Sequence, residues 1–320
     1  MKSILVFFAA LFFAISAAAQ TNFTKADSFA LNFKGKYTDI ADLAKQLTAP
    51  FTTEAEKARV LFVWVADNIR YDVEKFENPP RTQVSAKTRE ELERKKKEAQ
   101  EAELRSSFKS KKGVCEDYSS IYKAMCEAVG LACEVVRGDA REFYKPYQAA
   151  HNNPHAWNAV KIDGQWQLLD ATWAAGYVRN RKFTRRLELG HFMTPPLWFV
   201  QRHLPDDLKW ELLDQPIDSK RFPTLPLINY GQSDYPLLDF SQELEKLPDG
   251  RVQARFLFST TPKVFLVVNS QSKNPIEFEQ KEEGAFTIFQ FTPRGRGDVT
   301  IYMGEAMGDK MEWLARYDIR

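Results

Sequence analysis

In the stretch "GVCEDYSSIYKAMCEAVG", from Gly113 to Gly130, a cysteine directly follows a short Gly-Val step. The apolar residues after it, Tyr118, Ile121, Tyr122, Met125 and Val129, recur at helical spacing, and Gly130 supplies a C-terminal stop. Cys115 therefore falls in the first helical turn, where free amide groups and the helix dipole favour an anion. That position promotes the thiolate, the reactive form of cysteine. Lone cysteines on helices are more often small core residues, so the thiol needs partners before it reads as a nucleophile.

A nucleophilic thiolate uses an imidazole, and the imidazole needs a group that fixes its tautomer. Both are available in "HAWNAVKIDGQWQLLDATW", where Asp163-Gly164 marks a two-residue hairpin turn. In that register Ile162 faces Gln165, and continuing the ladder puts His155 opposite Thr172. Asp170 is two residues from Thr172, so it shares a face with His155 as a diagonal neighbour, within reach of an imidazole. Trp173 follows closely enough to wall the same place.

The elements that must position these residues are legible around them. "DIADLAKQL" reads as a short helix with Ile40, Leu43 and Leu47 on one face. Thr53 and Glu56 have capping-box spacing ahead of a second helix carrying Val60, Val63, Trp64 and Ile69. Residues 88–112 are charge-dense, with Glu91/Lys95 and Glu93/Lys97 four apart, and read as an exposed helix or insertion. The "RKKK" patch within it is a solvated face, because acids interleave with the bases.

After Leu131 the pattern turns to strands: "ACEVVRG", then the hairpin. A helix followed by alternating strands predicts an α+β domain with an antiparallel sheet. The aromatic and proline-rich stretch from Thr194 to Pro226 reads as an ordered extension of that domain. Beyond about Tyr230, "VQARFLF", "KVFLVVN", "AFTIFQF", "DVTIYMG" and "EWLARYD" predict a small all-β, immunoglobulin-like sandwich. The expected organisation is residues 1–19 as a signal peptide, 20–229 as the α+β domain with its extension, and 230–320 as the sandwich.

Taken together, "VWVADNIRYD", "GVCEDYS" and "HAWNAVKIDGQWQLLDATW" resemble the transglutaminase-like superfamily, most closely its kyphoscoliosis peptidase-like branch, over roughly Thr53 to Leu213. The later "HLPDDLKWELL" is similar to that branch's segment after the core. The resemblance implies a papain-like fold and a Cys-His-Asp triad carried by Cys115, His155 and Asp170. It implies an acyl transfer through a thioester, to water in a peptidase or to an amine in a transglutaminase. The Cys115 amide would be one oxyanion donor, and an upstream Gln83 or Trp64 could be a second. Asp117 departs from the family, where glycine is frequent at that position, and the charged 88–112 segment looks longer than usual, as a lid would.

The remaining features bound the function class. Met1 and Lys2 precede an apolar run from Ile4 to Ile15 and then "SAAAQ", which reads as a secretory signal cut near Ala19, so a periplasmic or secreted protein is expected. Lys and Arg number 45 against 43 Asp and Glu, a balance that implies neither nucleic acid nor an anionic membrane as partner. The expected partner is a protein or peptide substrate, with the C-terminal sandwich a further surface for a protein. Three cysteines leave at least one unpaired; Cys126 and Cys133 read as structural residues that could bridge, and Cys115 as the free one. The four histidines (His151, His155, His191, His203) and the cysteines show no zinc spacing, and neither a metal nor another cofactor is expected.

Overall fold

The computed structural model describes residues 22–80, 85–142, 153–230, 233–269, 273–294, 297–307 and 311–319. The signal-like segment, Gln83 and His151 lie outside the described residues.

Helices α1 (Thr24–Leu31), α2 (Ile40–Thr48) and α3 (Glu54–Asn68) open the chain. Thr53 caps α3 as its spacing predicts: its hydroxyl accepts the Glu56 amide and donates to the Glu56 carboxylate at 2.7 Å. Residues Ala58 to Ala66 of α3 are all buried, so this helix is the centre of the first core rather than an amphipathic cover. Its one buried cation, Arg59, is neutralised by Asp27 of α1 at 2.6 Å.

A two-residue strand β1 (Arg70–Tyr71), a short helix α4 (Val73–Glu77) and the long α5 (Arg89–Ser110) follow. Helix α5 is the expected charged segment, exposed along most of its length and anchored by the buried Ser107 and Phe108. Glu91 and Lys95 pair at 2.8 Å as expected, whereas Glu93 pairs with Lys96 three residues on. Lys111 ends α5 in a left-handed conformation and lays its ammonium over Phe108, Trp64 and Tyr37. Burial there lowers its pKa to about 8.

Strand β2 (Lys112–Gly113) pairs in parallel with β1 and leads straight into α6 (Cys115–Ala128). Tyr118, Ile121, Tyr122, Met125 and Cys126 of α6 are buried against α2, α3 and the sheet. Each such large side chain contributes about 1.5–3 kcal/mol of burial free energy. The phenol of Tyr118 donates to the Ile69 carbonyl at 2.6 Å, tying α6 to the end of α3.

The sheet of this domain is built on β3 (Cys133–Ala140), β4 (Pro154–Ile162) and β5 (Gln165–Leu169), all antiparallel. The β4–β5 register is the predicted one, Ile162 opposite Gln165, around a turn with Asp163 and Gly164 at φ of 49° and 82°. The ladder stops earlier than the alternation suggests. Asp170 turns the chain, and "ATWAA" becomes helix α7 (Ala171–Ala175), so His155 and Thr172 are not strand partners.

Hairpin β6 (Gly176–Arg179) and β7 (Lys182–Arg185), strand β8 (Phe192–Thr194), helix α8 (Pro196–Phe199) and strand β9 (His203–Pro205) complete the domain. Strands β8 and β9 close the two edges, giving the order β8-β5-β4-β3-β9. Membership of β9 in this sheet is not visible in the proline-rich sequence around it.

From Leu227 the strands belong to a second structure. One sheet orders β10 (Leu227–Ile228), β18 (Glu312–Ile319), β17 (Gly297–Gly304) and β14 (Val264–Asn269) as β10-β18-β17-β14. The other orders β11 (Leu237–Phe240), β13 (Val252–Phe258), β16 (Phe286–Phe291) and β15 (Phe278–Glu283), with β12 (Glu245–Lys246) beside β13. Phe256 and Phe289 of the second sheet meet Tyr317 and Phe265 of the first in one apolar core, which makes a sandwich. Among the described residues no helix is long and apolar enough to cross a membrane.

Candidate active site

Cys115 is the first residue of α6, with Val114 at the cap in extended conformation. Valine has no side-chain acceptor, so the cap is made from inside the helix: Asp117 Oδ2 accepts the Val114 amide at 2.7 Å. The same carboxylate takes Lys75 Nζ at 2.7 Å and, through Oδ1, the Ser107 hydroxyl at 2.9 Å. Lys75 also pairs with Glu103. Asp117 is 4% exposed and thus ties α4 and α5 to the turn that presents Cys115. Asp117 is a structural clamp.

His155 lies near the start of β4 and Asp170 just past the end of β5, on the shared face that the hairpin register requires. His155 Nε2 is 2.7 Å from Asp170 Oδ2, with the carboxylate fully buried and the imidazole 8% exposed. Asp170 is held from every side. Its Oδ1 accepts the Thr172 and Trp173 amides at 2.9 and 3.0 Å, and its own amide donates to the His191 carbonyl at 2.9 Å. Oδ2 also receives His203 Nε2 at 3.1 Å.

Burial on its own would favour neutral His155, but the charge of Asp170, its hydrogen bond and then Cys115 outweigh it, raising the pKa to about 10. Cys115 ranks after Asp170 among the causes that raise it, which puts the thiol in the neighbourhood of this ring. Because Nε2 serves Asp170, Nδ1 is the nitrogen left for the thiol. Asp170 shows the converse: burial pushes its carboxyl up, but His155 and His203 together drive it well below the usual carboxylate range. A half-buried free thiol at the start of α6 thus lies beside an imidazolium that is paired with a buried carboxylate.

Asp170, His155 and His203 each present a metal-ligating atom within 4.8 Å of the others. The 2.7 Å contact between His155 and Asp170 is shorter than the roughly 3.3 Å that separates two tetrahedral ligands about 2.0 Å from zinc. It has the length of a charge-assisted hydrogen bond, so a proton is the better bridge.

The sequence profile of the Transglutaminase-like superfamily matches residues 41–171, which include Cys115, His155 and Asp170. Those residues form a transglutaminase-like domain. Kyphoscoliosis peptidase of Mus musculus is 29% identical over 185 residues, 57% of this chain and 25% of its own length. The Homo sapiens protein of that name is 28% identical over 204 residues, 62% of this chain and 28% of its own. Hillarin of Drosophila melanogaster is 26% identical over 202 residues, 58% of this chain and 22% of its own. The chain therefore spans about a quarter of the length of these curated relatives.

Trp173 lies just past the residues of the superfamily match, in α7. Its ring stacks on His155 with centroids 5.2 Å apart and carries the Arg202 guanidinium on it at 4.1 Å. Trp64 corrects an expectation. Only 2% exposed in α3, it packs against Tyr37 and Phe108 beneath the Lys111 ammonium, so it is a core residue rather than an oxyanion donor. Gln83 lies outside the described residues. Cys126 and Cys133 are buried free thiols, and Cys133 Sγ accepts Asn158 Nδ2 at 3.7 Å. His203 opens the "HLPDDLKWELL" segment after the core, and nothing in its local pattern shows that it reaches Asp170.

Proposed function

We propose that this protein is an exported cysteine enzyme that acts on amide bonds of a protein or peptide, with hydrolysis favoured over cross-linking. The observation that carries the reading is His155 bound to a buried Asp170 through Nε2 while its other nitrogen is free for Cys115, at a helix start. In this reading the imidazolium of His155 already holds the proton given up by Cys115, and the sulfur attacks the amide carbonyl. The oxyanion forms beside the Cys115 amide, and the C–N bond breaks as His155 protonates the leaving amine. Water, deprotonated by His155, then cleaves the thioester and regenerates the thiol. Asp170 keeps the imidazole oriented and stabilises its charge throughout.

Two relatives carry the name peptidase, which supports hydrolysis. Export rests on the apolar run from Ile4 to Ile15 and the small residues before Gln20. The C-terminal sandwich is proposed as the surface for a protein partner.

The test uses iodoacetamide. Cys115 should react faster than a free thiol at neutral pH and lose that advantage in His155→Ala. A Cys115 with ordinary reactivity, unaffected by that substitution, would leave a non-catalytic binding module as the surviving reading. Incubating an acyl-donor peptide with and without a primary amine then separates the two acyl acceptors. Only hydrolysis is expected, and an amine adduct would make the protein a transferase.

A further inference from the structure

One oxygen of Asp170 serves two imidazoles. Oδ2 lies 2.7 Å from His155 Nε2 and 3.1 Å from His203 Nε2, and the His203 side chain is fully buried. We propose that His203 is a positioning residue of the site, donating its Nε2 proton to Asp170 so that the carboxylate stays aimed at His155. The inference rests on the acyl-transfer reading above and deepens it.

Packing alone does not account for an imidazole here. His203 is stacked on Phe199 at 3.9 Å and flanked by Trp173 at 4.5 Å and Trp157 at 5.0 Å, a setting in which a phenylalanine would fill the same space without a polar group to satisfy. The second ring nitrogen, Nδ1, is 3.3 Å from the Phe199 carbonyl. Both neighbours are acceptors, and a neutral imidazole has one proton to give. The closer and charged acceptor is the carboxylate, which selects the tautomer with the proton on Nε2.

The charged and titratable groups facing His203 keep it neutral. Asp170 at the head of α7 favours its protonation, whereas the aromatic enclosure, His155 on β4 and Arg202 just before β9 oppose it. The balance lowers its pKa to about 4, burial being the largest cause. One carboxylate thus faces one imidazolium, and the charged ring is His155, the one whose pKa Cys115 helps to raise. His203 supplies the hydrogen bond without adding a competing positive charge. The fold makes room for this: a Cβ on Gly138 of β3 would meet the Leu204 carbonyl oxygen at 2.0 Å, so only glycine lets β9 come this close.

The experiment combines two measurements on the full chain. Carboxymethylation of Cys115 by iodoacetate is followed against pH for the wild type, His155→Ala, His203→Phe and His203→Gln. Imidazole ¹⁵N resonances are read on histidine-labelled protein, which has only four histidines to assign. The expected result is a neutral His203 with its proton on Nε2 from pH 5 to 9. His203→Phe should lose about tenfold in plateau rate, the worth of a hydrogen bond to a charged group, and its alkaline limb should move up because Asp170 then acts on His155 alone. His203→Gln, whose amide can donate to Oδ2, should return most of the rate.

A proton on Nδ1, or a folded His203→Phe with the wild-type profile, overturns the proposal. If His203→Phe does not fold, the glutamine variant and the resonances decide. If wild-type Cys115 is no faster than a free thiol and His155→Ala changes nothing, the acyl-transfer reading fails, and the resonances still report whether His203 donates to Asp170.

Discussion

A Cβ placed on Gly113 would sit 2.4 Å from Asp117 Cβ and 2.7 Å from its Oδ2. The residue two before Cys115 is glycine because the residue two after it is a buried acid folded back onto the strand. Gly113→Ala should therefore destabilise the protein by about 1–3 kcal/mol, the range for overpacking. In an Asp117→Gly background, which removes the Asp117 Cβ together with the carboxylate, the same change should cost far less, although Asp117→Gly itself takes one of the two carboxylates from Lys75 and uncaps α6. Denaturant midpoints for the four proteins of this cycle check the coupling; additive costs would mean that the two residues do not share the space.

Replacing Asp170 by asparagine keeps the shape of the side chain and removes its charge. His155 then loses the interaction that opposes its burial, so its pKa should drop far below about 10. Cys115 alkylation near pH 7 should fall by about 10²-fold or more, as expected when the group that fixes a catalytic imidazole is neutralised. Alkylation kinetics on variants matched for fold by circular dichroism measure this.

The same pair makes stability depend on pH in a defined window. Asp170 is depressed from 3.8, so its contribution is present above that value and lost as pH falls toward its folded pKa. His155 is raised from 6.5 to about 10, so its contribution is complete below 6.5 and lost as pH rises through 10. The melting-temperature gap between wild type and Asp170→Asn should thus be widest between about pH 4 and 6.5 and close toward both extremes. Scanning calorimetry from pH 3 to 10 would show it, and a gap independent of pH would contradict the ion pair.

Gly138→Ala tests the seat of β9. Its Cβ would lie 2.0 Å from the Leu204 oxygen and 2.7 Å from Pro205 Cα, both backbone atoms that cannot swing aside. The edge strand must move, at a cost of about 3 kcal/mol, and His203 must move with it. Thermal denaturation together with the His203 imidazole resonances should report both losses; a variant of wild-type stability would mean that β9 is loosely seated.

Periodicity and turn chemistry are local signals, and what they encode was legible. The helical face of Tyr118, Ile121, Tyr122 and Met125 gave α6, and Asp163-Gly164 set a β4–β5 register in which Ile162 opposes Gln165. From that register alone His155 and Asp170 share a face. The end of β5 was not legible, because "DATW" continues the alternation, and only the Asp170 carboxylate bonding to the Thr172 and Trp173 amides turns it into a helix start. Helical spacing put Trp64 in the second helix, but its place beneath the Lys111 ammonium is not specified by that spacing.

The sequence by itself determined which residues could carry the chemistry and that they come from a helix start and a hairpin, since backbone preferences and side-chain alternation act over a few residues. Tertiary structure decided their setting: Asp117 as a clamp for α4, α5 and α6, Lys111 over Trp64, and His203 on Asp170 from thirty-three residues away. Those contacts depend on which strand becomes a sheet edge and how much water the packing excludes. Neither quantity is written in a local pattern, because both are set by the whole chain closing on itself.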